Sequence, residues 1–160
     1  MKNKCVRKAN QSEFDQIFMM GFDVWADGSE SEYLTACRTS PKYARGNFYV
    51  LENENGELLS SLILYKLGPE EFGIGSIATP PTLRKQGHAS KIISDVLKEI
   101  EAESPTSVVF LYSDIEPEFY ERFNFTRIPQ EAQRYKTTTC MVRSKNIEKF
   151  TDKTATPEYF

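Results

Sequence analysis

After the pair Pro80-Pro81, six apolar residues (Ala89, Ile92, Ile93, Val96, Leu97 and Ile100) recur at spacings of 3, 1, 3, 1 and 3, and the unbroken run Val108-Val109-Phe110-Leu111-Tyr112 follows. The first pattern is that of an amphipathic helix, with Lys91, Asp95, Lys98 and Glu99 on its outer side. The second suits a central strand buried on both faces. Pro105 separates the two, and a β-rich segment, Phe72–Thr79, precedes the helix. Strand, helix, strand in this order predicts a parallel crossover, which leaves few topologies open.

The remaining segments must pack around that unit. Cys5–Ala9 reads as a short strand. Asn10 with Glu13 three residues on, or Ser12 with Asp15, marks a helix start, after which Phe14, Ile17, Phe18 and Gly21 share one face. A polar stretch from Asp27 to Glu32 leads into a weaker helical segment with Tyr33, Leu34 and Cys37, ending before Pro41. Phe48–Glu52 and Leu58–Leu67 flank Asn53-Glu54-Asn55-Gly56, a turn sequence, and so predict an antiparallel hairpin. Pro117 suits the first position of a short helix ending near Asn124, and Thr137–Arg143 reads as a last strand. The tail from about 145 to 160 is expected to form an arm that tucks its aromatics back. The fold class is mixed α/β (α+β), and 160 residues suit a single domain over 1–160.

Charge narrows the function. Lys plus Arg is 20 and Asp plus Glu 23, so the net charge is −3, which argues against nucleic acid as the main partner. Cys5, Cys37 and Cys140 are too far apart for a metal pair, and read as buried or half-buried thiols in a reducing compartment. No apolar leader or membrane-length span occurs, so a cytoplasmic chain without a membrane partner is expected.

The segment with chemistry is Ile77-Ala78-Thr79-Pro80-Pro81-Thr82-Leu83-Arg84-Lys85-Gln86-Gly87-His88-Ala89-Ser90, which joins a strand to a helix N-terminus. Such a terminus presents unsatisfied backbone N–H groups and favours negative charge. Gly87 permits unusual dihedrals and close ligand approach, Ala89 keeps the next turn narrow, and Arg84 and Lys85 add positive charge. The pattern is neither a G-x-x-x-x-G-K-[ST] loop nor G-x-G-x-x-G.

Arg84-Lys85-Gln86-Gly87-His88-Ala89 resembles the [QR]-x-x-G-x-[GA] signature of GNAT N-acetyltransferases. Pro81-Thr82-Leu83-Arg84 is similar to the family's P-x-x-R approach, and Phe119-Tyr120-Glu121-Arg122-Phe123-Asn124-Phe125 to its F-Y-x-x-x-G-F helix end. Two positions depart: Asn124 stands where Gly is usual, and Ser113 where many relatives carry Asn. The resemblance implies the acyl-CoA N-acyltransferase fold: a central, mostly antiparallel sheet splayed at one parallel pair and flanked by helices. It implies acetyl-CoA as cosubstrate and no metal. Backbone amides from Gln86 to Ser90 (Gln86, Gly87, His88, Ala89, Ser90) would take the pyrophosphate, with Arg84 or Lys85 nearby. Main chain at Ile77 and Thr79 would hold the pantetheine arm, and an N–H near Ala78 or Thr79 would polarise the thioester carbonyl.

The implied reaction is direct attack by a primary amine. A lysine-like amine with pKa ~10.4 is only ~0.04 % neutral at pH 7, equivalent to about 4.6 kcal/mol, so a base, a water chain or a shifted pKa is needed. Glu70, Glu71 and Asp114 lie near strand ends, and none stands out as the base. By the resemblance Tyr120 protonates the departing thiolate. On reference values that step is uphill by ~2 kcal/mol, a gap that desolvation of the thiolate narrows. His88 has the pKa of a base but sits within the phosphate loop. Phe22, Trp25 and Tyr33 belong either to the acceptor side or to the core. A small amine or amino-acid-like acceptor is slightly preferred. A protein lysine or N-terminus, a non-catalytic CoA-binding module, and a homodimer as the assembly all stay open.

Overall fold

A computed structural model describes residues 3–160. Seven strands form one sheet in the order β1-β2-β3-β4-β5-β7-β6: β1 Lys4–Lys8, β2 Asn47–Asn53, β3 Leu58–Lys66, β4 Glu71–Ala78, β5 Val108–Ser113, β6 Thr126–Arg127 and β7 Thr139–Arg143. The helices are α1 Phe14–Met19, α2 Phe22–Trp25, α3 Glu30–Arg38, α4 Pro41–Ala44, α5 His88–Glu103 and α6 Glu118–Glu121. β1–β2, β2–β3, β5–β7 and β6–β7 pair antiparallel, and β4–β5 is parallel, as the crossover pattern requires. The parallel register joins Glu71–Ile74 to Val108–Leu111, and β4 runs on to Ala78.

By internal contacts the chain divides into two compact units, one of Met1–Leu64 with Ser76–Leu97, the other of Tyr65–Gly75 with Lys98–Phe160. In the first, Asn53-Glu54-Asn55-Gly56 makes the predicted turn: the Asn53 carboxamide oxygen accepts from the Asn55 and Glu57 N–H groups, and Gly56 takes a φ of +77°. Asn10 and Glu13 meet as a helix start, the Glu13 carboxylate accepting from the Asn10 N–H at 2.8 Å. Phe14, Phe18, Tyr43 and Phe48 gather their rings behind it. On the part of α5 in this unit, Ile92, Ile93, Val96 and Leu97 are all buried, as is Ile100 of the second unit, together worth on the order of 10 kcal/mol of transfer free energy before entropic costs.

In the second unit β5 has Val108–Leu111 fully buried, as its apolar run implies. The C-terminal aromatics do fold back. A Cβ on Gly73 would lie 2.5 Å from the Phe160 ring, so only glycine lets that ring lie on β4. Tyr65 and Tyr112 flank it at 5.6 and 5.7 Å between centroids, and the Tyr112 hydroxyl donates to the Pro157 carbonyl.

Three expectations need correction. Cys5 is exposed rather than buried or half-buried, because it lies on the outward side of β1; Cys37 and Cys140 are buried. The last strand begins at Thr139, not Thr137, and Thr126–Arg127 adds an unforeseen strand beside it. The short helix after Pro117 closes at Glu121, and single turns carry the chain to Asn124. No helix among the described residues is long and apolar enough to cross a membrane.

Candidate active site

β4 delivers the chain to the loop in a fixed orientation. Ser76, within the strand, adopts a left-handed φ of +47°, an unusual backbone for a non-glycine residue. The buried Ser60 hydroxyl donates to the Ala78 carbonyl at 2.8 Å and lies 3.0 Å from the Thr79 hydroxyl. A short turn, Pro81–Leu83, follows, and Arg84 is extended. Lys85 and Gly87 then take positive φ values of +64° and +83°.

Gly87 also ends the loop, its carbonyl accepting from the Lys91 N–H at 3.0 Å, the bond that opens α5. A glycine here brings no side chain to satisfy the first-turn amides, which therefore face solvent or a ligand. A Cβ on Gly87 would meet nothing within 4 Å among the described residues, so the space beside the loop is open to them. Lys85, Gln86 and Gly87 are exposed, and Ala89 and Ser90 half-buried. The start of a 16-residue helix carries partial positive charge, which favours negative charge beside it.

His88 begins α5 and is buried; burial first, and then the charge of Lys4, holds its pKa below the usual value, with Glu57 opposing. That shift favours its neutral form, and among the described residues its Nδ1 has no hydrogen-bond partner. Arg84 is not a free cation. Its guanidinium forks onto Asp23, with both distances 2.7 Å, and donates to the Met20 carbonyl at 3.1 Å and the Thr79 carbonyl at 2.9 Å. Sequence reasoning missed Asp23 and Ser60, because nothing local links Arg84 to a residue 61 positions away. Close by, Phe22 stacks edge-on to Tyr33 at 5.4 Å, and Trp25 lies over Gly21 with nearly half its surface exposed.

Tyr120 belongs to the second unit. It is buried, with Phe119 and Phe125 rings against it. Burial, and secondarily the negative charge of Asp114, pushes its pKa up to about 12, so the phenol is fully protonated at neutral pH. Asn124 takes a left-handed φ of +67°, the conformation for which Gly is usual. Ser113 is spent locally, its hydroxyl donating to the Ile115 carbonyl at 2.7 Å. Of the candidate carboxylates, Glu70 accepts from the Thr106 hydroxyl at 2.9 Å and Asp114 from the Tyr159 hydroxyl at 3.2 Å. Among the described residues no three His, Cys, Asp or Glu side chains gather as metal ligands.

Comparison with known proteins bears on the fold and the family. A GNAT family N-acetyltransferase from Escherichia coli, solved with CoA, superposes with a TM-score of 0.68 at 13 % identity, covering 94 % of this chain and 86 % of that one. A GNAT family acetyltransferase from Brucella melitensis, solved with acetyl-CoA, gives 0.59 at 17 % identity, covering 86 % of each. A mutant spermidine N-acetyltransferase from Vibrio cholerae gives 0.68 at 12 % identity, covering 94 % of this chain and 98 % of that one. A search of curated protein sequences finds no match. The family profile described as an acetyltransferase (GNAT) domain matches residues 5–128, and the chain belongs to that family.

Proposed function

We propose that the protein is an N-acetyltransferase that moves an acetyl group from acetyl-CoA to a primary amine by direct attack, acting as a single domain. The observation that carries this reading is the loop from Lys85 to Gly87, with its two left-handed residues and a side-chain-free start to α5. The amides from Gln86 to Ser90 bind the diphosphate there, with the exposed Lys85 adding charge from the side. Main chain at Ile77, Ala78 and Thr79 orients the acyl-pantetheine arm. Acetyl-CoA supplies an activated acetyl thioester, and Tyr120 holds the proton that the departing thiolate needs. Desolvation raises the phenol and a buried thiolate alike, so it is their difference that governs the transfer.

The likeness to a spermidine N-acetyltransferase, together with the family match, supports a small amine as acceptor. The test is calorimetric titration with acetyl-CoA, followed by thiol release against polyamines, amino acids and lysine peptides. Wild-type protein is expected to bind and turn over a small amine. Tyr120→Phe should bind acetyl-CoA as tightly and turn over roughly 100-fold more slowly, the usual scale of a lost general acid. Absence of binding would remove the cofactor assignment; binding with unchanged Tyr120→Phe turnover would remove the acid role.

A further inference from the structure

We propose that Arg84 is a positioning residue, one that sets where the loop before α5 begins by tying it to the α1–α2 turn, and that its charge is not offered to the cofactor's phosphates. The inference rests on the reading that this loop binds acetyl-CoA. A guanidinium has five N–H donors, and four hydrogen bonds run from Arg84 to protein acceptors: Nη1 and Nη2 to the two Asp23 oxygens, Nη2 also to Met20, and Nε to Thr79. The Asp23 pairing is the two-pronged arrangement that makes arginine–carboxylate contacts strong and directional. The pair holds its charges in place: Arg84 lowers the Asp23 pKa, and Asp23 raises that of Arg84.

Three separate segments meet on this one side chain: the end of α1 at Met20, the first turn of α2 at Asp23, and the exit of β4 at Thr79. With Ser60 on the Ala78 carbonyl, two successive carbonyls at the end of β4 are held by side chains. The backbone just before Pro80 is thereby fixed, and the Arg84 side chain ties the residue four positions beyond it to the Thr79 carbonyl. Only Lys85, Gln86 and Gly87 lie between Arg84 and the first residue of α5. A loop that short inherits its shape from its ends, so losing the tie at one end leaves residues to be ordered when a ligand binds. Ordering a residue is costly enough that about a ten-fold loss of affinity is expected.

The two roles for Arg84 predict opposite signs for Asp23→Asn. If Arg84 positions the loop, weakening its partner loosens the loop and weakens acetyl-CoA binding. If Arg84 were a phosphate ligand restrained by Asp23, the same change would free it and tighten binding. The experiment measures the acetyl-CoA Kd at two salt concentrations for wild type, Asp23→Asn, Arg84→Gln and the double variant, with a melting curve for each. The expected result is a Kd raised about ten-fold in each single variant and no further in the double, since both break one interaction. Melting temperatures should stay close to wild type, kcat at saturating acetyl-CoA within a few-fold, and the salt dependence of Kd unchanged in Arg84→Gln.

Unchanged or tighter binding by Asp23→Asn overturns the proposal, as does a weaker salt dependence in Arg84→Gln. So does a loss in the double equal to the product of the singles. Wild-type protein that fails to bind acetyl-CoA overturns the functional reading itself, whereas wild-type binding with insensitive variants overturns only the role of Arg84.

Discussion

Arg7 donates to Glu13 at 2.9 and 2.8 Å and to Glu52 at 3.0 Å, joining β1, the first helical turn and β2 through one side chain. The hydrogen bonds from Arg7 are the main reason the Glu13 pKa falls to about 2, with the Asn10 N–H and the Arg7 charge adding to them and burial opposing. A carboxylate with a depressed folded pKa contributes stability above its unfolded pKa of about 4.5, and loses it as pH falls toward 2. The network is partly solvated, so its worth is on the order of 1 kcal/mol. Urea midpoints measured between pH 5 and pH 2 should fall less for Glu13→Gln than for wild type. The pairing of Asn10 with Glu13 is legible in the sequence because its partners are three residues apart. Arg7 with Glu52 and Arg84 with Asp23 are not, because only the sheet and the helix packing bring such distant residues together.

Elements long enough to show a full period can be read from the chain alone. α5 spans 16 residues, and from Ile92 to Ile100 its buried positions are those of the apolar stripe, whereas at its start His88 is buried and Ala89 only half so. The hairpin of β2 and β3 announces itself through its turn residues. α2 and α4 have four residues each and β6 two, too few for any periodicity to accumulate. The turn after α6 is legible for another reason: Asn is among the few side chains that accept the left-handed backbone, and Asn124 does so at φ +67°. Asn124→Ala should therefore lower stability by about 1 kcal/mol, while Asn124→Gly should leave it equal or raise it slightly. Thermal melts of the two variants distinguish a backbone requirement from a side-chain contact.

Across the whole molecule, buried tyrosines are one route by which alkali acts on the fold, beside the Cys140 thiol, which burial pushes up to about 12. Burial is the leading cause raising Tyr33, Tyr112 and Tyr120, the last to about 12. In the unfolded chain these phenols ionise near pH 10, so the stability they represent is complete below pH 10 and lost as pH climbs toward 12. For Tyr120 alone two pKa units correspond to at most about 2.7 kcal/mol. Denaturation midpoints should drop between pH 9.5 and 11.5, and drop less in Tyr120→Phe. The sequence foretold that terminal aromatics return to the body of the chain; that a glycine in β4 receives the Phe160 ring depends on a contact 87 residues apart, beyond any local signal.

The two margins of the sheet have a different kind of consequence. One is β1, whose five residues include Lys4 and Lys8 beside the ion-paired Arg7; the other is β6, only two residues long. A strand margin with unpaired backbone groups invites another chain to add to it, and closely spaced positive charges or extreme brevity discourage that. One margin repels a second copy of itself and the other offers almost nothing to grip. Concentrated solutions of this protein are thereby expected to resist strand-by-strand accretion into fibrils.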